Sequence, residues 1–319
     1  MTIRLGVLMD PIEGIKPAKD TTLAMMLAAQ KRGLQIHYIR QQDLSVDSGR
    51  PLVRSRPVTV HDDNKHWFDL GEFTTNEASD FDLILNRIDP PVDAGYLTAS
   101  HLLSLAEQQG VLVSNRQQSV RDCNEKLFAV EFPDLCPPTL VSSSAEQIRA
   151  FHAEHHDVII KPLDGMGGRS IFRVRKDGEN IGVILELMTS HGQTAVMAQR
   201  YLPEIIDGDK RILLINGEPV SHGLARIPVK GEHRGNLAAG GSGEVRPLTP
   251  HDLEICRRVG PTLKEKQLHF VGIDVIGKSL TEINVTSPTC VREIDRATGS
   301  DIAGDYIEYL LGCLQGAGS

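Results

Sequence analysis

The sequence lacks the marks of several protein classes. Its 34 lysines and arginines are outnumbered by 42 acidic residues, which gives a net charge of −8. A nucleic-acid partner is not expected, because no basic tract offsets the repulsion of the phosphates. No apolar run approaches the roughly 20 residues that cross a bilayer, and the N-terminus lacks the apolar core of a signal peptide. Neither membrane insertion nor secretion is therefore expected.

Paired cysteines are also lacking. The five cysteines are odd in number, widely spaced and free of any CxxC pair: Cys123, Cys136, Cys256, Cys290 and Cys313. Such spacing does not indicate a disulfide framework. Reduced thiols in the cytoplasm are the expectation.

What is present is the composition of an ordinary globular protein, 40% hydrophobic and 24% charged, long enough for two or three domains. The first 120 residues alternate short apolar strands, at 3–9, 34–39, 81–85 and 111–113, with helices. One helix begins at Asp20 or Thr21 and stops at Gly33, and another covers 94–109. This alternation predicts a mostly parallel sheet covered by helices.

The rest of the chain predicts two smaller α+β units. The first has strands at 158–161, 170–174 and 195–199, with a helix at 180–191. The second has strands at 211–215, 220–227, 270–276 and 280–285, with a helix at 250–266. We predict an α/β protein with domains at 1–122, 123–200 and 201–316.

A glycine-rich loop between two predicted strands suits an anion. Gly165, Gly167 and Gly168 let the backbone approach closely and point N–H groups at a ligand, and Lys161 supplies a positive charge for phosphate oxygens. The loop is not a Walker A motif, because no GK[ST] follows and the next element is a strand. The alternative is a flexible hairpin turn with a surface lysine.

A second segment, at 272–289, carries oxygen ligands. Glu282 and Asn284 are two apart on one predicted strand and therefore project from the same face, and Asp274 lies on the strand before. Three oxygen donors suit Mg²⁺, although they are alternatively solvated polar positions on an edge hairpin. Direct pairing of Asp274 with Glu282 requires a three-residue loop at 277–279, because a two-residue loop would place Asp274 on the other face. We predict the three-residue loop.

Taken in order, these segments resemble the ATP-grasp superfamily, and within it the bacterial glutathione synthetases. The resemblance covers residues 3–310, and it rests on motifs in this order: MDP at 9–11, NRIDPP at 86–91, NEKL at 124–127, IIKPLDGMGG at 159–168, QRYL at 199–202, DGDKR at 207–211, RGNLAAGG at 234–241 and LTEINVTSPT at 280–289. It implies an N-terminal Rossmann-like (pre-ATP-grasp) domain followed by an ATP-grasp fold of two α+β subdomains.

The resemblance also implies binding roles. ATP would lie between the two subdomains, and one or two Mg²⁺ ions, or Mn²⁺ in their place, would be held by Asp274, Glu282 and Asn284. The implied ATP-binding residues are Lys126, Lys161, Gly165, Met166, Gly167, Gly168, Gln199, Tyr201, Leu202 and Asp209. The implied substrate-binding residues are Asp10, Arg87, Asp89 and Arg292.

The implied reaction joins γ-glutamylcysteine to glycine through an acyl phosphate, with release of ADP and phosphate. Positioning and charge neutralisation would carry it, so no nucleophilic side chain is needed. Arg211, Arg226, Arg234 and Asn236 suit the developing negative charge; the alternative for the arginines is a surface ion pair. The alternatives are another ATP-grasp carboxylate–amine ligase, such as a D-alanine–D-alanine or peptide-tail ligase, or a non-catalytic nucleotide-binding protein. The family commonly forms homotetramers or homodimers.

Overall fold

The chain is described here from a computed structural model that covers residues 2–165, 167–229 and 240–316. Its strands form three sheets of eight, four and five strands. The α/β class is as predicted, but the N-terminal sheet is mixed, with a parallel centre and antiparallel additional strands, rather than mostly parallel, and two antiparallel units follow it.

The N-terminal sheet has a parallel centre in the order β2-β1-β7-β8. Helix α1 begins after Asp20, whose side chain accepts a hydrogen bond from the Leu23 amide at 2.6 Å, and Gly33, just beyond its end, has a φ of +78°. The elements are β1 (Arg4–Met9), α1 (Thr21–Lys31), β2 (Gln35–Ile39), β3 (Leu44–Asp47), β4 (Arg50–Val60), β5 (Phe68–Leu70), β6 (Thr74–Glu77), β7 (Leu83–Arg87), α2 (Ala94–Gln108), β8 (Leu112–Ser114) and α3 (Gln117–Asp122).

An antiparallel ribbon, β3 to β6, extends this sheet and was not predicted. Strand β4 pairs with β2, β3, β5 and β6. Its buried positions include Val53, Val58 and Val60, but Pro51 and Pro57 interrupt the apolar alternation in the sequence. Strand β4 is paired on both sides, and proline within a sequence argues against such a strand, so it conceals the strand signal here.

The second sheet is a small antiparallel unit in the order β11-β10-β12-β9. Its buried apolar side chains, among them Ile148, Ile160 and Val196, form a core of their own between the sheet and two helices. The elements are α4 (Leu127–Val130), β9 (Thr139–Ser142), α5 (Ala145–His155), β10 (Val158–Pro162), β11 (Phe172–Val174), α6 (Ile181–Met188) and β12 (Val196–Arg200).

The third sheet is antiparallel in the order β15-β14-β13-β16-β17. Helix α9 returns to the N-terminal domain and packs against α1, and Tyr306 and Ile307 belong to the same core as Leu23 and Met26. The elements are β13 (Asp209–Ile215), β14 (Glu218–Ile227), β15 (Ser242–Pro247), α7 (Pro250–Glu265), β16 (Phe270–Ile276), β17 (Ser279–Asn284), α8 (Val291–Thr298) and α9 (Ile302–Gly316).

Strands β16 and β17 meet as predicted, but through a different loop. Asp274 pairs with Glu282, yet Ile276 pairs with Ser279, so the turn has two residues rather than three. An irregularity in the register between Asp274 and Val275 supplies the missing residue. The three-residue loop was therefore wrong, because a β-bulge restores the face that a two-residue turn would reverse.

The segment before β9 joins the subdomains. The Ile283 amide donates to the Glu125 carbonyl and the Leu280 amide donates to the Leu135 carbonyl, at 2.9 and 2.8 Å. Residues 125–135 therefore line the outer edge of β17, although the predicted boundary assigns them to the 123–200 unit. Within the ranges that the structure describes, no helix has both the length and the apolar character to cross a membrane.

His269 makes the fold sensitive to acid. Its Nδ1 lies 2.9 Å from the Tyr309 hydroxyl, and burial lowers the pKa of His269 from 6.5 to about 4. As the pH falls, His269 is therefore protonated in the unfolded chain before it is protonated in the folded protein. The contribution of neutral His269 to the free energy of unfolding is complete above about pH 6.5 and declines as the pH falls towards 4. We expect a loss of about 3 kcal/mol in unfolding free energy across that window.

Urea unfolding at several pH values, with wild type beside His269→Gln, measures this loss. The pH dependence of the variant should be shallower, whereas replacement of the exposed helical His101 by glutamine should leave the dependence unchanged. Parallel curves for wild type and His269→Gln would contradict the assignment.

Candidate active site

A cavity of about 540 Å³ opens between the second and third sheets, with the N-terminal loops at one side. Its volume is typical of a small-molecule site. It is lined by most of the predicted site residues: Asp89, Lys126, Lys161, Gly165, Gly167, Gly168, Gln199, Tyr201, Leu202, Asp209, Arg211, Arg226, Asp274, Glu282 and Asn284.

Two lysines from different segments meet one carboxylate in this cavity. The Nζ atoms of Lys126 and Lys161 lie 3.7 and 3.6 Å from Oε1 of Glu282. Both lysine side chains are almost completely buried, whereas the Glu282 side chain is 23% exposed. The predicted phosphate-binding lysines and the predicted metal ligand therefore share one wall, although up to 156 residues separate them in the chain.

Beside this group, Asp274 is held by two arginines from neighbouring strands. Its Oδ1 accepts from Arg211 Nε at 2.5 Å, and its Oδ2 accepts from Arg211 Nη2 and Arg226 Nη2, each at 2.9 Å. Arg226 also pairs with Asp209. The register explains the pairs, because Arg211 lies directly opposite Asp274 and Asp209 lies opposite Arg226. The result is a buried network of two guanidiniums and two carboxylates.

The two carboxyl groups of this network differ in acidity. Burial raises the pKa of Asp209 to about 6. The positive charge of Arg226 lowers this pKa, whereas repulsion from the neighbouring carboxylates Asp274 and Glu282 raises it further. Burial would also raise the pKa of Asp274, but two guanidiniums hold it well below its usual value. Burial lowers the pKa of Lys161, and Glu282 opposes that effect. The cavity thus holds ionised groups of both signs away from water.

The donor set fits a hard divalent cation, and Glu282 and Asn284 fit best. They project from one face of β17 towards the cavity, and the Asn284 amide nitrogen already donates to Gly272 O and Asp274 Oδ2, which leaves its oxygen for a ligand. Oxygen donors beside a phosphate site are the surroundings that Mg²⁺ prefers. Asp274 could join them only by sharing an oxygen with an arginine.

The glycine-rich loop and the end of β12 close the other side of the cavity. Lys126 Nζ donates to the Gly165 carbonyl at 2.6 Å, so the loop is held beside the lysines that were predicted to bind phosphate. The Tyr201 amide donates to the Asp157 carbonyl, and the Arg173 guanidinium lies 3.5 Å from the centre of the Tyr201 ring. Gln199 donates to Thr139 Oγ1 at 3.0 Å. Ile159 and Leu202 add apolar surface where a flat base could lie.

Three predicted substrate residues lie elsewhere. Arg87 is buried below the cavity, where it donates to Thr22 Oγ1 and to the Pro288 carbonyl. Arg292 forms an ion pair with Asp62. Asp10 accepts from the Asp89 amide at 2.9 Å and lines a second cavity of about 650 Å³, which adjoins the first through Lys16, Asp20, Asp89 and Pro90. Met166, Arg234 and Asn236 lie outside the described residues.

Sequence reasoning missed Glu125, which fixes the wall of the cavity from below. Its Oε1 accepts from the Val285 amide, the Thr286 amide and the Thr286 hydroxyl at 3.1, 3.2 and 2.7 Å. Burial raises the pKa of this carboxyl, and the bonds from Thr286 oppose that rise. Its neighbour Lys126 was identified from the sequence as a candidate. Nothing in the sequence indicates that the carboxylate of Glu125 accepts hydrogen bonds from backbone amides about 160 residues further along the chain.

Replacing Glu125 by alanine is expected to reduce the free energy of unfolding by about 3 kcal/mol, because two amides and a hydroxyl lose a buried acceptor. Glu125→Gln retains an acceptor oxygen and should lose less than half as much. Urea unfolding of both variants measures the difference. Equal losses in the two variants would show that the three hydrogen bonds do not stabilise the loop.

Comparisons with known proteins agree with this arrangement. Residues 3–121 match the model of the N-terminal domain of prokaryotic glutathione synthetase, and residues 125–299 match the model of its ATP-grasp domain. A glutathione synthetase of Pseudomonas putida is 57% identical over 310 residues, covering 97% of this chain and 98% of that protein. One of Vibrio vulnificus strain YJ016 is 53% identical over 310 residues, with the same coverage.

Solved structures share the fold at low identity. A D-cycloserine synthetase, DcsG, superimposes with a TM-score of 0.69 at 15% identity, covering 97% of this chain and 99% of that chain. The ATP-grasp ligase PsnB, complexed with a minimal precursor, Mg and ADP, gives 0.62 at 16% identity with 98% of each chain covered. These similarities show the ATP-grasp architecture, as predicted.

Proposed function

The chain belongs to the prokaryotic glutathione synthetase family and is an ATP-dependent ligase, and we propose that its cavity joins γ-L-glutamyl-L-cysteine to glycine. The family models cover nearly the whole chain, and the relatives named glutathione synthetase match over 97% of it. One structural observation carries the assignment to this cavity. Two buried lysines and the predicted oxygen ligands, brought from distant segments, face one enclosed space.

The reaction proceeds by positioning and charge neutralisation. The carboxylate of the cysteine residue of γ-glutamylcysteine attacks the γ-phosphorus of ATP. The bond between the γ-phosphorus and the bridging oxygen breaks, and ADP leaves. The amine of glycine then attacks the acyl carbon, loses a proton and displaces phosphate. Lys126 and Lys161 neutralise phosphate oxygens, while Arg211 and Arg226 stabilise the charge that develops on the acyl phosphate. Burial removes competing water, which strengthens each of these interactions.

The metal residues are proposed on the same geometry. Glu282 and Asn284 would hold Mg²⁺ or Mn²⁺, in one or two ions, with Asp274 behind them. When bound, the metal neutralises phosphate charge and orients the γ-phosphoryl group. Asp209 Oδ1 is buried, and among the described residues it has no hydrogen-bond donor, which suits an acceptor for a ribose hydroxyl.

The second cavity is proposed to hold γ-glutamylcysteine. It places Asp10, Asp20, Lys16 and Asp89 beside the first cavity; an aspartate suits the ammonium group of the peptide, and Lys16 suits one of its carboxylates. Arg87 would act from below by holding the Pro288 carbonyl in place, and Arg292 through its helix. The glycine-rich loop, including Met166, would cover the phosphates, and Arg234 and Asn236 would act from the segment beyond β14.

A coupled assay of ADP release tests the activity. With ATP, Mg²⁺ and γ-glutamylcysteine, release should become continuous only when glycine is added, and EDTA should abolish it until Mg²⁺ or Mn²⁺ is restored. D-alanine and glutamate as acceptors distinguish other ATP-grasp ligases. Faster turnover with either acceptor than with glycine would contradict the substrate assignment, and binding of ATP without any ADP release would contradict the catalytic one.

Assembly and compartment follow from the family and the cysteines. We propose a homodimer or homotetramer, to be measured by sedimentation, and a cytoplasmic location. All five cysteines are free, which suits a reducing compartment.

A further inference from the structure

Two histidines and an aspartate converge on the ribbon of the N-terminal domain. His61 Nε2 lies 2.8 Å from Asp69 Oδ2, and His66 Nε2 lies 3.1 Å from Asp69 Oδ1. The imidazole rings are stacked, with centres 5.3 Å apart and planes 23° apart. One donor atom from each residue falls within 4.8 Å of the others. The ligands of a single tetrahedral ion of this kind lie about 3 to 3.5 Å apart, since each bond is about 2.0–2.1 Å.

The segment that carries these groups is fixed at several points. The Trp67 indole donates to the Ile12 carbonyl at 2.9 Å, and the His61 amide donates to the Trp67 carbonyl at 3.0 Å. Asp62 pairs with Arg292 of helix α8. Strand β5, which contains Asp69, is paired with β4. Little reordering is therefore needed to bring the three donors onto one ion.

We propose that His61, His66 and Asp69 bind a transition-metal ion such as Zn²⁺, Ni²⁺ or Cu²⁺, with water completing its coordination. Two neutral imidazoles and one carboxylate favour these ions over Mg²⁺, which prefers oxygen. This site shares no residue with the cavity of the ligase reaction.

The sequence supplies a reporter beside the site. Trp67, the single tryptophan of the chain, follows His66 directly. The experiment uses the full-length protein, freed of metal and then saturated with Mg²⁺, and titrates Ni²⁺ against Trp67 fluorescence, with Zn²⁺ binding measured by calorimetry. We expect quenching that saturates at one equivalent, and one matching Zn²⁺ site that competes with Ni²⁺.

His61→Gln, His66→Gln and Asp69→Asn each replace one ligand; His66 and Asp69 are exposed and His61 is half-buried. Each should weaken this binding by more than about 100-fold, since even the partners behind metal ligands contribute 10–100-fold. His101→Gln, an exposed histidine on α2, should bind as wild type does. Unfolding midpoints near that of wild type verify that the variants are folded.

Two results would overturn the proposal. One is Ni²⁺ quenching that never saturates at one equivalent. The other is binding that persists in His61→Gln and His66→Gln, which would place the ion on other histidines or on a thiol. These assays measure metal binding and not the ligase reaction. Failure of the metal-site proposal would therefore leave the proposed ligase function unaffected.

Discussion

Replacing Glu282 by glutamine is expected to lower kcat for ADP release by about 10³-fold, comparable to the loss of a central charge-stabilising group in other enzymes. The carboxylate contacts Lys126 and Lys161, the two lysines proposed to bind phosphate, and is itself proposed as a metal ligand. Glutamine has nearly the same volume, so the cavity keeps its shape while the negative charge is lost. The apparent affinity for Mg²⁺ in the assay should fall together with kcat.

The matched control for this change is Glu265→Gln, at the exposed end of α7, which should ligate at the wild-type rate. Far-UV circular dichroism and elution volume show whether the Glu282 variant is folded. A folded Glu282→Gln protein with wild-type activity would remove this residue from the site.

Replacing Arg211 by methionine is expected to destabilise the ligand-free protein by about 3–5 kcal/mol. Arg211 holds both oxygens of Asp274 in a region almost closed to solvent. Without it, Arg226 must serve Asp274 and Asp209 together, so a buried carboxylate loses part of its compensation. Urea unfolding in the absence of nucleotide measures the loss.

A double-mutant cycle separates the pair from its surroundings. Arg211→Met combined with Asp274→Asn should recover part of the stability that the single change loses, because the unpaired charge is gone. Arg257→Met, which breaks an exposed pair with Glu254, should change stability by no more than about 0.5 kcal/mol. Additive losses in the cycle would show that the buried pair has no coupling energy.

Local signals in the sequence were sufficient for the elements that position the site. Asp20 before an apolar run and Gly33 after it mark both ends of α1, because capping is a property of neighbouring residues. The two-residue spacing of Glu282 and Asn284 places them on one face for the same reason. The convergence of Lys126 and Lys161 on Glu282 came from family resemblance, since no local pattern relates such distant segments.

What the sequence did not reveal depends on long-range register. The pairing of Arg211 with Asp274 requires β13 to lie beside β16, and no property of either strand alone specifies that neighbour. The arginines were predicted to bind phosphate or carboxylate groups, with surface ion pairs as the alternative, whereas in the structure they pair with two buried carboxylates. The bulge after Asp274 was likewise hidden, because a single extra residue leaves no mark in the apolar alternation.

The ribbon from β3 to β6 was not predicted for a third reason. Strand β4 contains Pro51 and Pro57 and carries Arg50 and Arg54 at exposed positions, so its sequence does not show the clear apolar alternation of a half-buried strand. The positions of Trp67 and the neighbouring histidines in the fold could therefore not be predicted from the sequence.

The separate core of the small second sheet has a consequence for local unfolding of the enzyme. Because Ile148, Ile160 and Val196 pack within that unit, we expect residues 139–165 and 167–200 to form a cooperative block that can loosen without exposing the apolar interior of the other two sheets. Nucleotide bound between this block and the third sheet would add binding free energy that opposes the loosening. Resistance of this stretch to proteases and to amide exchange should therefore track nucleotide concentration, while the remainder of the molecule stays closed.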